Sequence, residues 1–297
     1  MVIAHPSHEL RLHGWLQIAR PLVFILTDGS GRTGETRLDA TSKVIEDAGA
    51  KRGTIYGRFT DRDVYAAFLN RDYDLFINLA EELAEQFEQH QVEYVVGDSA
   101  EGYNSTHDAC RLLVDAAIEI VLRKFNREIA NFDFAVVGRP EEYPYAIQNE
   151  AIWLSLDEEA FVRKIAAVRA YDSRLAADVA AAQSGQAFQG LKRFSAPQLA
   201  GNVDEVMFGE LRKDLHSYPS MGAKLKGVFE GVDLDRFRTE CLRPVQVAMD
   251  SDLEGIPYYE MYGEKMVAAG YYQTAIRYEE HFLPLAQAVQ RHVETIL

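Results

Sequence analysis

Short continuous apolar runs alternate with longer stretches of helical periodicity over the first half of the chain. The apolar runs predict strands at residues 2–4, 21–27, 53–56, 92–96 and 132–137. The clearest helical stretch is 73–89, where large apolar residues recur every four positions from Leu75 to Phe87 and share one face. Further helices are predicted at 8–19, 37–48 and 106–123. Strands that alternate with helices indicate an α/β fold, so we predict a doubly wound, mainly parallel Rossmann-like sheet covered on both faces.

The pattern becomes mostly helical from about residue 151. Helices are predicted at 158–182, 204–214 and 264–294, the last in two segments that meet near Pro284, whereas residues 217–257 have no assignable pattern. We therefore divide the chain into a Rossmann-like domain, residues 1–150, and a helical C-terminal extension, residues 151–297, that packs on it. The extension carries no recognisable chemistry, and either a cap or an oligomer contact fits its pattern.

Composition and charge exclude several classes of function. The 297 residues are 47% hydrophobic and 26% charged, as in an ordinary soluble globular protein. A formal net charge of −15 argues against a nucleic-acid partner, which would need clustered Lys and Arg. No apolar run approaches the roughly 18 residues of a membrane span, and the N-terminus lacks a signal-peptide pattern. Cys110 and Cys241 lie far apart in helix-like contexts, so we expect a cytoplasmic protein without a structural disulfide.

Two polar turns follow predicted strands and carry three histidines between them. His5 and His8 come directly after the first strand, and His107 lies in the turn that follows the fourth. In a doubly wound sheet of order 3-2-1-4-5 the first and fourth strands are neighbours, and ligands bind beyond their carboxyl ends. The topology therefore predicts that the two turns meet.

Three histidines are a sufficient ligand set for a catalytic metal. Zinc in catalytic sites takes three protein ligands and keeps one position for water or substrate. His5, His8 and His107 are thus the predicted ligands of Zn²⁺ or another divalent transition metal, which would activate water and polarise a carbonyl. An isolated His-x-x-His pair is common by chance, and a histidine at a helix start is more often a cap or surface residue. The prediction depends on the placement of all three at neighbouring strand ends, with Thr106 as the expected N-cap beside His107.

The first turn resembles a family signature. Residues 4–9, Ala-His-Pro-Ser-His-Glu, resemble the Ala-His-Pro-Asp-Asp-Glu motif of the LmbE-like zinc hydrolases, which include the N-acetylglucosaminyl-phosphatidylinositol de-N-acetylases. Residues 27–29 are similar to the family's second strand ending, and residues 102–107 to the turn with its third metal ligand. The resemblance covers roughly residues 1–170. It implies a zinc-dependent amide hydrolase that removes an N-acetyl group from an amino sugar or a related small polar N-acyl compound.

Carried over by position, the resemblance assigns roles to single residues. His5, His8 and His107 would bind the metal, Tyr103 would assist at the oxyanion, and Arg37 would lie near the substrate. His8 replaces an aspartate, which raises the charge of a zinc-filled site from +1 to +2 and makes it a stronger Lewis acid.

The chain departs from the family motif at the general base. Ser7 stands in place of the catalytic aspartate, and a serine does not accept a proton unaided at neutral pH. The third-ligand turn also differs, because Asn104 replaces its first histidine. Two alternatives to deacetylation therefore stay open: a different reaction at the same metal, and small-molecule binding without catalysis.

Carboxylates near the strand ends are the candidates for a replacement base. They are Glu9, Asp28, Asp98 and Glu101, of which the first three join Tyr103 as candidate catalytic residues. Candidate substrate-binding residues are Arg37, Glu101 and Asn104. Residues 61–63 are interpreted mainly as a solvated charged loop. The tyrosines between residues 258 and 272 are interpreted mainly as a helix–helix core or an oligomer interface.

Overall fold

A computed structural model describes residues 1–31, 34–137, 150–171, 237–245 and 255–296. The predicted helix 204–214, residues 172–182 and most of 217–257 lie outside these ranges. The described strands are β1 Val2–Ile3, β2 Leu22–Thr27, β3 Lys51–Phe59, β4 Tyr94–Asp98, β5 Ala130–Phe134, β6 Ile152–Ser155 and β7 Thr239–Pro244. The described helices are α1 His13–Ala19, α2 Leu38–Asp47, α3 Asp61–Asn70, α4 Tyr73–Gln89, α5 Ser105–Phe125, α6 Glu158–Tyr171, α7 Tyr258–Ala268 and α8 Leu283–Thr295.

The described strands form one sheet in the order β3-β2-β1-β4-β5-β7-β6. The first five strands are parallel and confirm the predicted α/β fold and the order 3-2-1-4-5. β7 and β6 then add antiparallel strands at one edge, so the sheet continues past the predicted boundary at residue 150. Neither strand is predicted from the sequence. A four-residue run such as β6 is too short for a strand period to stand out from a helical one.

Side chains of the central strands alternate between two apolar layers. Val2 and Phe24 pack with α4, α5 and α8 on one face, whereas Ile3 and Ile25 pack with α1 and α2 on the other. This alternation is the period of two that every strand imposes on its side chains. Strands that are buried on both faces read as continuous apolar runs, which is why β1 and β2 could be predicted.

Three predicted boundaries differ from the structure. The first predicted helix divides into a 3₁₀ turn, His8–Leu12, followed by α1. The predicted loop at 61–63 is wrong, because Thr60 and Asp63 form a capping box that starts α3 at Asp61. The last predicted helix breaks at Gly270, whose positive φ of 79° ends α7 in the usual left-handed manner.

A π-helical turn, Tyr278–Phe282, leads directly into α8, so two helical segments meet beside Pro284, as predicted. Pro284 itself lies in the first turn of α8. A proline is tolerated there because that turn has no intrahelical acceptor for its missing N–H. Within the described ranges, no helix combines the length and the apolar character that a membrane crossing requires.

A buried ion pair joins the C-terminal half to the start of the chain. Lys164 Nζ of α6 donates to Glu240 Oε1 of β7 and to the carbonyl of Arg11, both at 2.8 Å. Glu240 also accepts hydrogen bonds from the amides of Gly14 and Trp15 at the start of α1, at 2.8 and 2.7 Å. Burial lowers the pKa of Lys164, while the Glu240 carboxylate opposes that shift. The Glu240 carboxylate therefore links β7 to α6 and to the segment that follows the histidine turn.

Candidate metal centre

The imidazole rings of His5, His8 and His107 lie together beyond the carboxyl ends of β1 and β4. Their ring centroids are 5.4 Å apart for His5 and His8, 5.1 Å for His5 and His107, and 4.6 Å for His8 and His107. All three residues are buried, with at most 9% of their surface exposed. Two turns almost a hundred residues apart thus meet at one point, as the strand order predicts.

Local backbone geometry brings the rings together. β1 ends at Ile3, and the chain reverses through Pro6 and Ser7 before the 3₁₀ turn that begins at His8. After β4, the chain enters α5 through Asn104, whose side chain accepts a 2.8 Å hydrogen bond from the amide of Thr106. Asn104 is therefore the N-cap, and the prediction of Thr106 in that role is wrong. The cap places His107 in the first turn of α5.

Hydrogen bonding defines the tautomer of His5. Its Nδ1 lies 2.7 Å from Thr27 Oγ1, and the Thr27 hydroxyl donates its one hydrogen to the carbonyl of Ala4 at 3.2 Å. We assign the hydrogen of His5 to Nδ1, as donor to Thr27, because the Asp61 carboxylate, which only accepts when ionised, also lies 3.0 Å from this nitrogen. The lone pair of His5 is then on Nε2, which is buried and has no hydrogen-bond partner among the described residues.

A buried carboxylate also lies against His5. Asp61 Oδ1 is 3.0 Å from Nδ1 of His5. Burial acts to raise the pKa of Asp61, but the interaction with His5, together with those with the Thr27 side chain and the amide of Gly31, outweighs it, and the net pKa lies below its ordinary value. Asp61 Oδ2 accepts the amide hydrogen of Gly31 at 2.5 Å.

His8 is held by Asp98 in a corresponding way. Its Nδ1 lies 2.8 Å from Asp98 Oδ2, which also accepts the amide hydrogen of Ala4 at 2.8 Å. Burial raises the pKa of Asp98 to about 6, so its carboxyl remains mostly ionised at pH 7 and accepts the Nδ1 hydrogen. The lone pair of His8 is then on Nε2. Metal-binding histidines typically donate their second ring N–H to such a carboxylate.

Burial keeps His8 and His107 neutral, as metal ligands must be. Burial lowers the pKa of His8 well below its usual range, and the neighbouring His5 lowers it further. Burial and then the His8 ring do the same for the pKa of His107. Nδ1 of His107 is buried and has no hydrogen-bond partner in the part of the chain that the structure describes.

The spacing of the rings fits a metal, whereas their present orientation does not. An ion bound by three imidazoles at about 2.1 Å in tetrahedral geometry holds the ring centroids roughly 5 Å apart. Among the described residues, however, no three His, Cys, Asp or Glu side chains have their ligand atoms arranged to hold an ion as they stand. Two of the ring nitrogens are buried without a hydrogen-bond partner in the described ranges, and two of the imidazoles lie against a carboxylate. Both features are typical of a metal site. The metal remains a prediction, and these residues fit it.

The two carboxylates change the charge predicted for a filled site. Three neutral histidines alone would leave a divalent cation at +2. Asp61 and Asp98, each within 3.0 Å of a histidine ring nitrogen, bring two negative charges to the same cluster. A divalent cation would then sit in a site of no net charge, which favours binding but lowers the Lewis acidity expected from histidines alone.

The four candidate bases differ in exposure. Glu9 and Asp98 are fully buried, and Glu101 is 5% exposed with Oε2 accepting the amide hydrogens of Val136 and Val137 at 3.0 and 2.9 Å. Glu101, predicted as a substrate contact, thus holds the end of β5. Asp28 alone among these four carboxylates is half-exposed, and its Oδ1 accepts the amide hydrogen of Ser30 at 2.9 Å.

Arg37 lies against the histidine turn. Its Nε donates to the carbonyl of Gly29 at 2.8 Å, and its guanidinium packs over that glycine beside Pro6. Gly29 has a φ of 66°, and a side chain there would collide with Arg37 and Pro6. This position therefore requires glycine for both its backbone conformation and its close packing.

Tyrosines form one wall beside His107. Tyr103 lies with its ring centroid 6.2 Å from that of His107 and stacks on Tyr258 of α7 at 5.3 Å, with ring planes 8° apart. Tyr262 continues the stack from Tyr258 at 6.0 Å. Tyr258 and Tyr262 thus bring the C-terminal half to the candidate site, whereas Tyr271 of the same segment is 64% exposed.

Sequence reasoning missed the supporting residues of the cluster. The sequence predicts Asp61 in a solvated loop and Thr27 only as part of a strand ending. The capping box of Thr60 and Asp63 would have placed Asp61 at a helix start beyond β3, at the same sheet edge as the histidines. Its contact with His5 is a tertiary feature that no local pattern carries.

Replacing Asp98 with asparagine is expected to weaken zinc binding by about 10–100-fold, the usual effect of losing the partner of a metal-bound histidine. The side-chain amide of asparagine carries no negative charge to face Nδ1 of His8. Its oxygen also accepts the backbone N–H of Ala4 less well than a carboxylate does. Competition with a chromophoric chelator measures the affinity. Asp115→Asn, on the half-exposed side of α5 beside Arg111, is the control. Equal affinities for the two variants would contradict the role of Asp98.

Comparisons with known proteins leave the resemblance untested. No family model, no curated protein and no solved structure matches the chain. The likeness of the first turn to the LmbE-like hydrolases therefore stays a prediction.

Proposed function

We propose that this chain is a metal-dependent amide hydrolase, with His5, His8 and His107 as ligands of zinc or a similar divalent cation. Its substrate would be an N-acyl amino sugar or a related small polar N-acyl compound. The observation that carries the proposal is the buried, unpartnered Nε2 of His5, whose lone pair faces no donor among the described residues while two further imidazoles lie within 5.4 Å. A buried acceptor left without a partner is costly unless an ion or a water molecule satisfies it.

A zinc ion bound there supplies two things to hydrolysis, a more acidic water molecule and a polarised substrate carbonyl. The protein has to orient the acyl group, stabilise the developing oxyanion and move protons. Tyr103, whose ring centroid lies 6.2 Å from that of His107, would supply its hydroxyl to the oxyanion. Amide cleavage consumes one water molecule and yields a carboxylate and an amine, so a base must accept a proton and return one to the leaving nitrogen.

Asp28 is the carboxylate we assign to this proton transfer. It directly follows Thr27, the hydrogen-bond partner of His5, and it keeps partial access to solvent, whereas Glu9, Asp98 and Glu101 are buried. A base that must exchange protons with substrate and water needs this access. Asp28 would thus take the place of the aspartate that Ser7 replaces in the family motif.

Replacing Asp28 with asparagine is expected to lower the rate of amide hydrolysis by about 10²–10⁴-fold, the usual contribution of a general base. Zinc binding should change little, because Asp28 touches none of the three rings in the contacts described. Release of acetate from N-acetylated amino sugars and zinc affinity are measured on the same samples. Asp39→Asn, an exposed carboxylate in the first turn of α2, is the matched control.

A direct assay tests the proposed function. The chain, stripped with a chelator and reloaded with one equivalent of zinc, should release acetate from an N-acetyl amino sugar, and the stripped protein should not. Stoichiometric zinc without turnover of any N-acyl compound would favour a different reaction at the same centre. Failure to bind any divalent transition metal would overturn the proposal and favour small-molecule binding without catalysis.

A further inference from the structure

Ser7 adopts a backbone conformation that serine seldom takes. It has a φ of 90° and a ψ of −15°, and it follows Pro6 in the turn between His5 and His8. These angles are those of the third residue of a type II turn, a position that glycine normally fills because a Cβ is strained there. Something in the surrounding structure must hold Ser7 in place.

The neighbouring Glu9 makes the contacts that can do so. Its side chain has no exposed surface, and its Oε2 accepts the amide hydrogen of Ser7 at 2.8 Å. Its Oε1 accepts the hydroxyl hydrogen of Thr41 at 2.8 Å. Both carboxyl oxygens are therefore used within the turn and its support.

Thr41 and Tyr171 complete the support from two other elements. Because the Thr41 hydroxyl donates to Glu9, its oxygen serves as acceptor for the amide of Ser7 at 3.2 Å and for the hydroxyl of Tyr171 at 2.9 Å. Thr41 belongs to α2, and Tyr171 is the last residue of α6. The turn is thus held by one helix from each half of the chain.

We propose that Glu9 is a positioning residue that holds Ser7 in its left-handed conformation and thereby sets the relative placement of His5 and His8. The consequence for metal binding rests on the proposed function, whereas the structural role does not. His5 lies two residues before Ser7 and His8 one residue after it, so a change of φ at Ser7 would turn one imidazole away from the other. Glu9 then acts through the backbone and not as the catalytic base.

A glycine at position 7 distinguishes support of the Ser7 backbone by Glu9 from an effect of the Glu9 charge or of side-chain packing. Glu9→Met keeps the side-chain length but removes both acceptors, so it should weaken Co²⁺ binding by about 10–100-fold, as loss of a supporting partner does. Adding Ser7→Gly should restore most of the lost affinity, because glycine adopts a positive φ without support. Ser7→Ala, which also removes the hydroxyl but keeps the Cβ, is the matched control and should restore none. Co²⁺ binding is followed by visible absorption.

Urea unfolding without metal gives a second, independent measurement. Ser7→Gly should stabilise the Glu9→Met protein clearly more than it stabilises the wild type, and Ser7→Ala should not. A wild-type chain that binds no Co²⁺ would overturn the proposed function, and the unfolding comparison would still decide the role of Glu9. Unchanged Co²⁺ affinity in Glu9→Met, or equal recovery with Ser7→Gly and Ser7→Ala, would overturn the positioning role. Should Glu9→Met not fold, Thr41→Val replaces it in the same scheme, because it removes the hydroxyl that supports both Glu9 and Ser7.

Discussion

Replacing His107 with alanine is expected to weaken zinc binding by more than about 100-fold and to abolish amide hydrolysis. Loss of a group that merely supports a metal-bound histidine costs about 10–100-fold, so loss of the ligand itself should cost more. His107 is the one histidine of the cluster that comes from the β4–α5 turn, and its ring lies 4.6 Å from that of His8. Removing it leaves His5 and His8 alone, one ligand short of a catalytic zinc site.

Zinc content after dialysis and acetate release from an N-acetyl amino sugar are the measurements. His90→Ala is the matched control, since His90 is exposed at the end of α4 and contacts none of the three rings. Circular dichroism verifies that both variants remain folded. Full zinc content in His107→Ala would show that His107 is not a ligand and would contradict the three-histidine centre.

Replacing Lys164 with methionine is expected to lower the free energy of unfolding by roughly 3 kcal/mol or more, the usual cost of removing one partner of a buried ion pair. The variant leaves the Glu240 carboxylate buried without its cation, although the amides of Gly14 and Trp15 still donate to it. Such a loss is large against the 5–15 kcal/mol that typically stabilises a folded domain. Urea denaturation measures it.

Arg163→Ala is the control for this prediction, because Arg163 precedes Lys164 in α6 and pairs with Glu159 on the exposed side of the helix. An exposed pair of this kind contributes at most about 1 kcal/mol. Equal losses for the two variants would mean that the buried pair adds nothing beyond a surface contact. A clear difference would show that the buried pair between α6 and β7 stabilises the folded chain.

Much of the candidate site follows from the order of the residues alone. Apolar runs that are buried on both faces mark β1, β2 and β4, and the rule for doubly wound sheets makes β1 and β4 neighbours. That single adjacency was enough to predict that His5, His8 and His107 meet. The chemistry of three imidazoles then follows from residue type.

The structure altered the roles of the acidic residues. Glu9 and Glu101 are buried and hold backbone amides, so neither is free to act as the base or as a substrate contact. Asp61, expected in a solvated loop, lies 3.0 Å from His5. These carboxylates differ in their exposure and in their hydrogen-bond partners. In the sequence alone they are all equivalent acidic residues.

By itself, the sequence determined the fold class, the strand order and the three histidines, because all of these depend on local periodicity, residue type and a general rule of sheet winding. Only the tertiary structure decided which carboxylate supports which histidine, how Ser7 is held in its turn, and that β6 and β7 extend the sheet. Those features depend on contacts such as Asp98 with His8, 90 positions apart, and Glu240 with Gly14, 226 positions apart. Contacts of this kind form only when the packed sheet brings distant segments together, and no local pattern of residues records them.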